Sequence, residues 1–572
     1  MILLLSILAL FIGPLLFNYT SKNNKMLDLF DGFIFVVIGG LVIFHILPES
    51  IETVGLWSIL FVGLGLIGPS LAEQLFHKAA AITHKSTLIL GVTGLVIHSL
   101  TDGAAIVDDP NFDQLTLIIA VIAHRLPVGL TVWWLLRPHF GKGVALAVLG
   151  LMAVGTGLGS MVGEQVLPQL NQQTIALIES FIAGSVLHVV FHRPYAEHHH
   201  GESSAETHFD GLGSLLGVIC LVTILMTGHE HDNVEAHQQL DLLVELALML
   251  SPFLLAAYFL SSLTKLLFSD SHSINVSTER PTKSQTLRGA LLGLPLPFCI
   301  PDATKAYKLL QKQGTNATMA LAFLVSAPIL GFESLLVSLP LLGVETTAVR
   351  LACALVIIVC IALMLARFIP SQEPVKTEKQ AEIANKLKHA LRHGYEHLLD
   401  HTAPWLMVGL VLATLLTFGE HQAQWYDILL VAAIALPFRL CATGITPLAA
   451  AMLISGWSPG SALTLLLIGP AINIELLKFI TQRHGKKLAL AFSLLLPTIV
   501  IACGYIVDAT FALSVPQLLD IKHASETNLF EVFCLAVILL LISWSLLRRG
   551  ARAFVAELLP KFELFSHKHH HH

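Results

Sequence analysis

The sequence predicts an all-α polytopic membrane protein in two modules: an eight-helix bundle, then an inverted repeat with two broken, re-entrant elements. Three observations predict it. The 572 residues are 55% hydrophobic and only 13% charged, with a mean hydropathy of +0.74; soluble proteins carry about 25% charged residues. Many windows hold about 20 apolar residues, enough to cross a bilayer as a helix. Finally, the chain repeats itself: Pro295 aligns with Pro437, Cys299 with Cys441, Gly314 with Gly456, Pro328 with Pro470 and Glu333 with Glu475, all at one offset and without a gap. This is an internal repeat. Each copy is apolar but broken by Pro and Gly, and paired broken segments of this kind point to a binding site between two halves.

The first module covers residues 1–230. Apolar runs lie near 1–17, 29–47, 56–76, 86–107, 115–136, 141–163, 174–191 and 211–227. The first lacks a basic flank and a small-residue cleavage site, so it reads as a span and not a removed leader. Lys22, Lys25, Lys78, Lys85, Arg137, Lys142 and Arg193 fall in alternate loops, and the other loops carry acids. The positive-inside rule therefore places the N-terminus outside. Arg548, Arg549 and Arg552 place the C-terminus in the cytoplasm, in a membrane of the bacterial inner type. The net charge of −6 sits in loops, and there is no nucleic-acid motif. The seven Cys form no CxxC pair, which argues against a disulfide framework.

Ionisable residues inside spans are functional candidates. They are His45 and Glu49 in HILPES, His98 and Asp102 in HSLTDG, and His124 with Arg125 in HRLPVG. His98 and Asp102 share a helix face at i, i+4. Two His and a carboxylate suit Zn²⁺ or another divalent transition metal. A structural Asp102–Arg125 ion pair between two helices is the alternative. The loops add His198, His199 and His200, then His229 and His231, tracts that fit metal binding or a solvated linker.

The order HILPES, HSLTDG, HRLPVG, AGSVLHVVFH resembles the ZIP metal transporters over residues 1–230. The resemblance implies an eight-helix bundle with His98, Asp102 and His124 as ligands of a first metal. Ser99, Arg125 and Val128 depart from its motifs. A guanidinium has no lone pair to give, so one metal site is implied and not two.

The second module covers 231–572, with repeats over about 250–345 and 402–485. Its broken elements are 289–314 and 435–456. Lys305, Lys308 and Lys312 mark the far end of the first as cytoplasmic, and the second enters from the other side. This is inverted-repeat topology, with the site at the repeat interface. Residues 251–258 (SPFLLAAY) echo 403–410 (APWLMVGL) and extend the repeat. Candidate path residues are Cys299, Asp302, Glu333, Arg439, Cys441, Asn473 and Glu475. Thiols are soft metal ligands, although a buried Cys also packs well. His389, His393, His397 and His401 recur every four residues and form one helical stripe. The stripe fits metal binding or the polar face of an interfacial helix equally.

RLCATGITPLAAAMLISGWSPGSALTLLLIGPAINIELL and HLLDHTAPWLMVGL resemble a two-repeat predicted-permease family that includes organoarsenical efflux permeases. The resemblance implies membrane transport. The first repeat departs where Cys299 is followed by Ile-Pro-Asp-Ala-Thr-Lys, so a mixed cation site including Asp302 is expected over a three-thiolate one.

Together these readings predict a transporter of divalent transition metals, zinc foremost. Proton coupling through Glu333, Glu475 or Asp302 is a further expectation. Efflux of an organometalloid or soft solute, and a membrane metal sensor without flux, are the alternatives. Without HExxH or an evident general base, an enzyme is not expected. The expected partners are the metal ion and membrane lipid; a homo-oligomer is left open. The final HKHHHH is set aside as tag-like.

Overall fold

The computed structural model describes residues 2–20, 24–55, 57–75, 114–166, 171–191, 207–227, 234–268, 282–294, 300–312, 317–368, 386–416, 421–436, 440–511 and 528–558, with positions 95, 96, 99, 100, 103, 296, 298 and 315. Every regular element among them is helical. Among the described residues, six helices are long and apolar enough to cross a membrane, or seven if one bent pair counts as a span. The chain is a polytopic integral membrane protein. It forms two compact units, one of residues 1–236 with 543–554 and 561–572, the other of 237–542 with 555–560.

In the first unit the helices with described bounds are α1 (Ile2–Thr20), α2 (Asn24–Leu41), α3 (Leu47–Val54), α4 (Trp57–Leu75), α5 (Gln114–Val166), α6 (Gln172–Phe191) and α7 (Thr207–Thr227). α5 breaks at Gly141, whose φ of 82° is left-handed, so it is two helices end to end. Three helix pairs pack through reciprocal glycines: Gly13 with Gly129, Gly32 with Gly213, and Gly65 with Gly184. At each, a Cβ would strike the facing helix. Small residues let backbones approach where lipid gives no hydrophobic drive to association. Residues 543–554, near the C-terminus, return to this unit. Arg552 donates to both Asp31 carboxylate oxygens (2.5 and 3.1 Å) and to the Val190 carbonyl (2.7 Å).

The second unit repeats itself in detail. α8 (Val234–Phe268) leads into α9 (Thr282–Gly293), α10 (Ile300–Lys312), α11 (Ala317–Ser326) and α12 (Phe332–Phe368). α13 (Lys386–Arg392), a π-helical turn (His393–Leu398) and α14 (Leu399–Leu416) lead into the second copy. That copy is α15 (Asp427–Ala435), α16 (Thr446–Ile454), α17 (Pro459–Ala471), α18 (Ile474–His484) and α19 (Lys486–Thr510), and α20 (Leu529–Val555) follows.

The two copies share their boundaries at the offset of the sequence landmarks. α9 and α15 end at 293 and 435, and α10 and α16 at 312 and 454. α11 and α17 begin at 317 and 459, and α12 and α18 at 332 and 474. Gly343 and Gly485, both with left-handed φ, break the chain at matched points (76° and 90°). The final helices end at 368 and 510. The repeat thus runs past the expected limits of 345 and 485. α17 and α18 are bent by 47° at their junction. Exposed Leu490, Leu494 and Ile506 give α19 an apolar outer face suited to lipid.

Candidate functional site

The breaks in the two copies meet around one cavity of about 40 Å³, room for a few water-sized occupants. Its walls come in register-matched pairs: Phe298 with Leu440, Ile300 with Ala442, Pro328 with Pro470. The first two pairs flank the links between hairpin arms, and the third sits at the second break of each copy. Non-helical backbone within a membrane needs protein or a cavity around it, and these breaks have both. Glu333, Cys441, His401, Trp405 and Glu557 supply the remaining chemistry.

Glu333 opens α12, where the helix N-terminus favours negative charge. It is 8% exposed, and its Oε2 has no hydrogen-bond partner among the described residues. Cys441 and Arg350 lie within electrostatic reach of it. Arg350 is fully buried. Its Nη1 donates to Ser338 Oγ (2.5 Å) and Thr446 Oγ1 (3.3 Å), and so ties the first copy's span to the second copy's hairpin. Gly331 faces the Glu333 carboxylate so closely that a Cβ there would collide with it. Gly331→Ala is therefore expected to displace the carboxylate and to cost about 1–3 kcal/mol by overpacking. A lower thermal midpoint in detergent, with reduced transport, checks this.

A second cluster shares His401 with the cavity. Asp302, His397 and His401 each offer a ligand atom, all within 4.8 Å of one another. His397 Nε2 bonds Asp302 Oδ2 at 2.9 Å, Lys305 Nζ bonds Asp302 Oδ1 at 3.0 Å, and His401 Nδ1 bonds Glu557 Oε2 at 2.9 Å. Both Asp302 carboxylate oxygens are thus engaged.

The expected histidine stripe is present in part. The His393 and His397 rings lie 5.3 Å apart and those of His397 and His401 4.7 Å. His389 lies on α13, with its side chain outside the described part. His393 and His397 fall in a π-helical turn, and His45 falls in another (Val42–Ile46). Such turns are frequent at functional sites.

Other expected residues separate from the cavity. Asn473 caps α18, accepting from the Leu476 amide at 2.8 Å. Glu475 follows it and is not on the cavity wall, unlike its counterpart Glu333. Cys299, Arg439, His98, Asp102, His198, His199, His200, His229 and His231 lie outside the described residues. So do the side chains of His45, Glu49 and His124, whose backbones are helical.

Arg350 and Glu557 were missed by the sequence reading. Arg350 carried a usable signal, a basic residue within an apolar run. Glu557 carried none, because only the fold brings it to His401.

Residues 235–509 match a family described as "predicted permease". The second unit is permease-like. The matched stretch holds both repeats and, apart from Glu557, every residue placed on the cavity. It supports a membrane transporter in general and leaves the solute open. No curated protein and no solved structure matches the chain.

Proposed function

We propose that the protein transports divalent transition-metal ions, zinc foremost, along a path past Glu333 and Cys441 in the permease-like unit. The observation that carries this reading is the cavity between register-matched breaks of the two copies, with a buried carboxylate oxygen that has no hydrogen-bond partner among the described residues. A divalent ion leaving water needs anionic or lone-pair partners. A carboxylate, a thiol and an imidazole on one wall are the ligand types that Zn²⁺ takes. Cys441 is the one thiol on that wall among the described residues, which favours a mixed site over a soft three-thiolate one. In the same reading, His98, Asp102 and His124, with His45 and Glu49, bind metal in the first unit, and Glu333, Glu475 or Asp302 carries a coupling proton. The N-terminus lies outside and the C-terminus in the cytoplasm of an inner membrane.

Cys441 also suits a soft metalloid, so the test sets the two solutes against each other. Maleimide labelling of Cys441 in proteoliposomes, read by peptide mass spectrometry, is expected to slow severalfold and saturably with Zn²⁺. Slowing by a trivalent methylarsenical and none by Zn²⁺ would overturn the metal reading in favour of the soft solute.

A further inference from the structure

We propose that Asp302, His397 and His401 form a binding site for a divalent first-row transition-metal ion, beside the Glu333–Cys441 cavity and sharing His401 with it, that latches the first copy's hairpin to the helix leading into the second. Asp302 stands in the first turn of α10, His397 in the π-helical turn, and His401 in the first turn of α14. The ligands therefore come from segments 95 residues apart in sequence. This separates the cluster from an i, i+4 surface pair.

The donor set is two imidazoles and one carboxylate, which leaves a fourth position open in a tetrahedral ion. Bonds of about 2.0–2.2 Å put tetrahedral ligand atoms roughly 3.3 Å apart. The ligand atoms now lie within 4.8 Å of one another, and a bound ion would draw them closer. His401 is prepared for the role. Its Nδ1 donates to Glu557, which leaves the Nε2 lone pair for the ion and fixes the ring, as carboxylates behind metal-bound histidines do. At His397 a neutral ring with its one proton on Nδ1 presents the Nε2 lone pair to the ion. Lys305 competes for Asp302, but its side chain is 72% exposed and can swing away.

A bound ion would favour whichever arrangement holds α10 against α14, because ligand and conformation are linked through differential affinity. The site does not require the cavity to conduct metal, so its test measures binding alone.

The test is Co²⁺ titration of the purified full chain, read by visible absorption, which is intense for tetrahedral and weak for octahedral cobalt. The wild type, Asp302→Asn, His397→Gln, Lys305→Met and Glu333→Gln are compared, all with the same histidine-rich loops and tail. A tetrahedral band displaced by Zn²⁺ is expected in the wild type and in Glu333→Gln. Its affinity should fall more than tenfold in Asp302→Asn and His397→Gln and rise in Lys305→Met, where the competing cation is gone. Circular dichroism checks that each variant is folded. Unchanged cobalt affinity in folded Asp302→Asn and His397→Gln, or weaker binding in Lys305→Met, overturns the proposal. Loss of the band in Glu333→Gln alone would place the ion in the cavity and overturn it too.

Discussion

Glu333→Gln is expected to lower zinc flux by more than about tenfold at sub-saturating zinc. The change keeps the side chain's size and removes the carboxylate that an arriving cation would bind. Loss of an outer-shell partner already weakens metal affinity by about 10–100-fold, so loss of a direct carboxylate should do at least as much. The buried position sharpens the effect. With Oε2 free of hydrogen bonds among the described residues, the carboxylate is available to a cation, and low-dielectric surroundings strengthen their attraction. Glu475→Gln is the matched control, since the repeat gives it the same register but not a place on the cavity wall. Isotope uptake by both variants, in vesicles of equal protein content, makes the comparison.

Arg350→Met is expected to be the most destabilising single change in the second unit, by about 3 kcal/mol. Removing one member of a buried charged set leaves the others uncompensated. Here Glu333 and Cys441 lose their neighbouring cation. The hydrogen bonds to Ser338 and Thr446 go as well, and with them one tie between the two copies. Coupled groups do not add. The double variant Glu333→Gln/Arg350→Met should therefore lose less stability than the two single changes summed. Thermal unfolding in detergent across the four-member cycle checks both expectations.

The repeat was legible because its landmarks are the residues that break helices. Pro328 and Pro470 mark the second breaks, and the helix boundaries follow at the same spacing. Gly343 and Gly485 were equally in register, but a glycine shows its need for positive φ only once the backbone is seen. The two glutamates show where sequence symmetry stops being informative. Glu333 and Glu475 occupy equivalent positions, yet only Glu333 faces the cavity, because side-chain placement depends on what each copy packs against. The histidine stripe was legible as local spacing. Its partner Asp302 was not, since that contact is tertiary and the π-helical turn alters the helical phase before His401. Arg350 lay close enough to a span's start to pass for a flanking charge. The clearest sequence motif of the first unit, His98 with Asp102, lies outside the described residues.

Zinc uptake into sealed proteoliposomes holding the wild-type chain tests the central claim most directly. It is run beside Glu333→Gln and beside His98→Ala/Asp102→Ala. A path past Glu333 predicts uptake well above protein-free vesicles, lost in Glu333→Gln and retained in the variant of the first unit. Wild-type vesicles that admit zinc no faster than protein-free ones, with reconstitution shown by protein content, would contradict it.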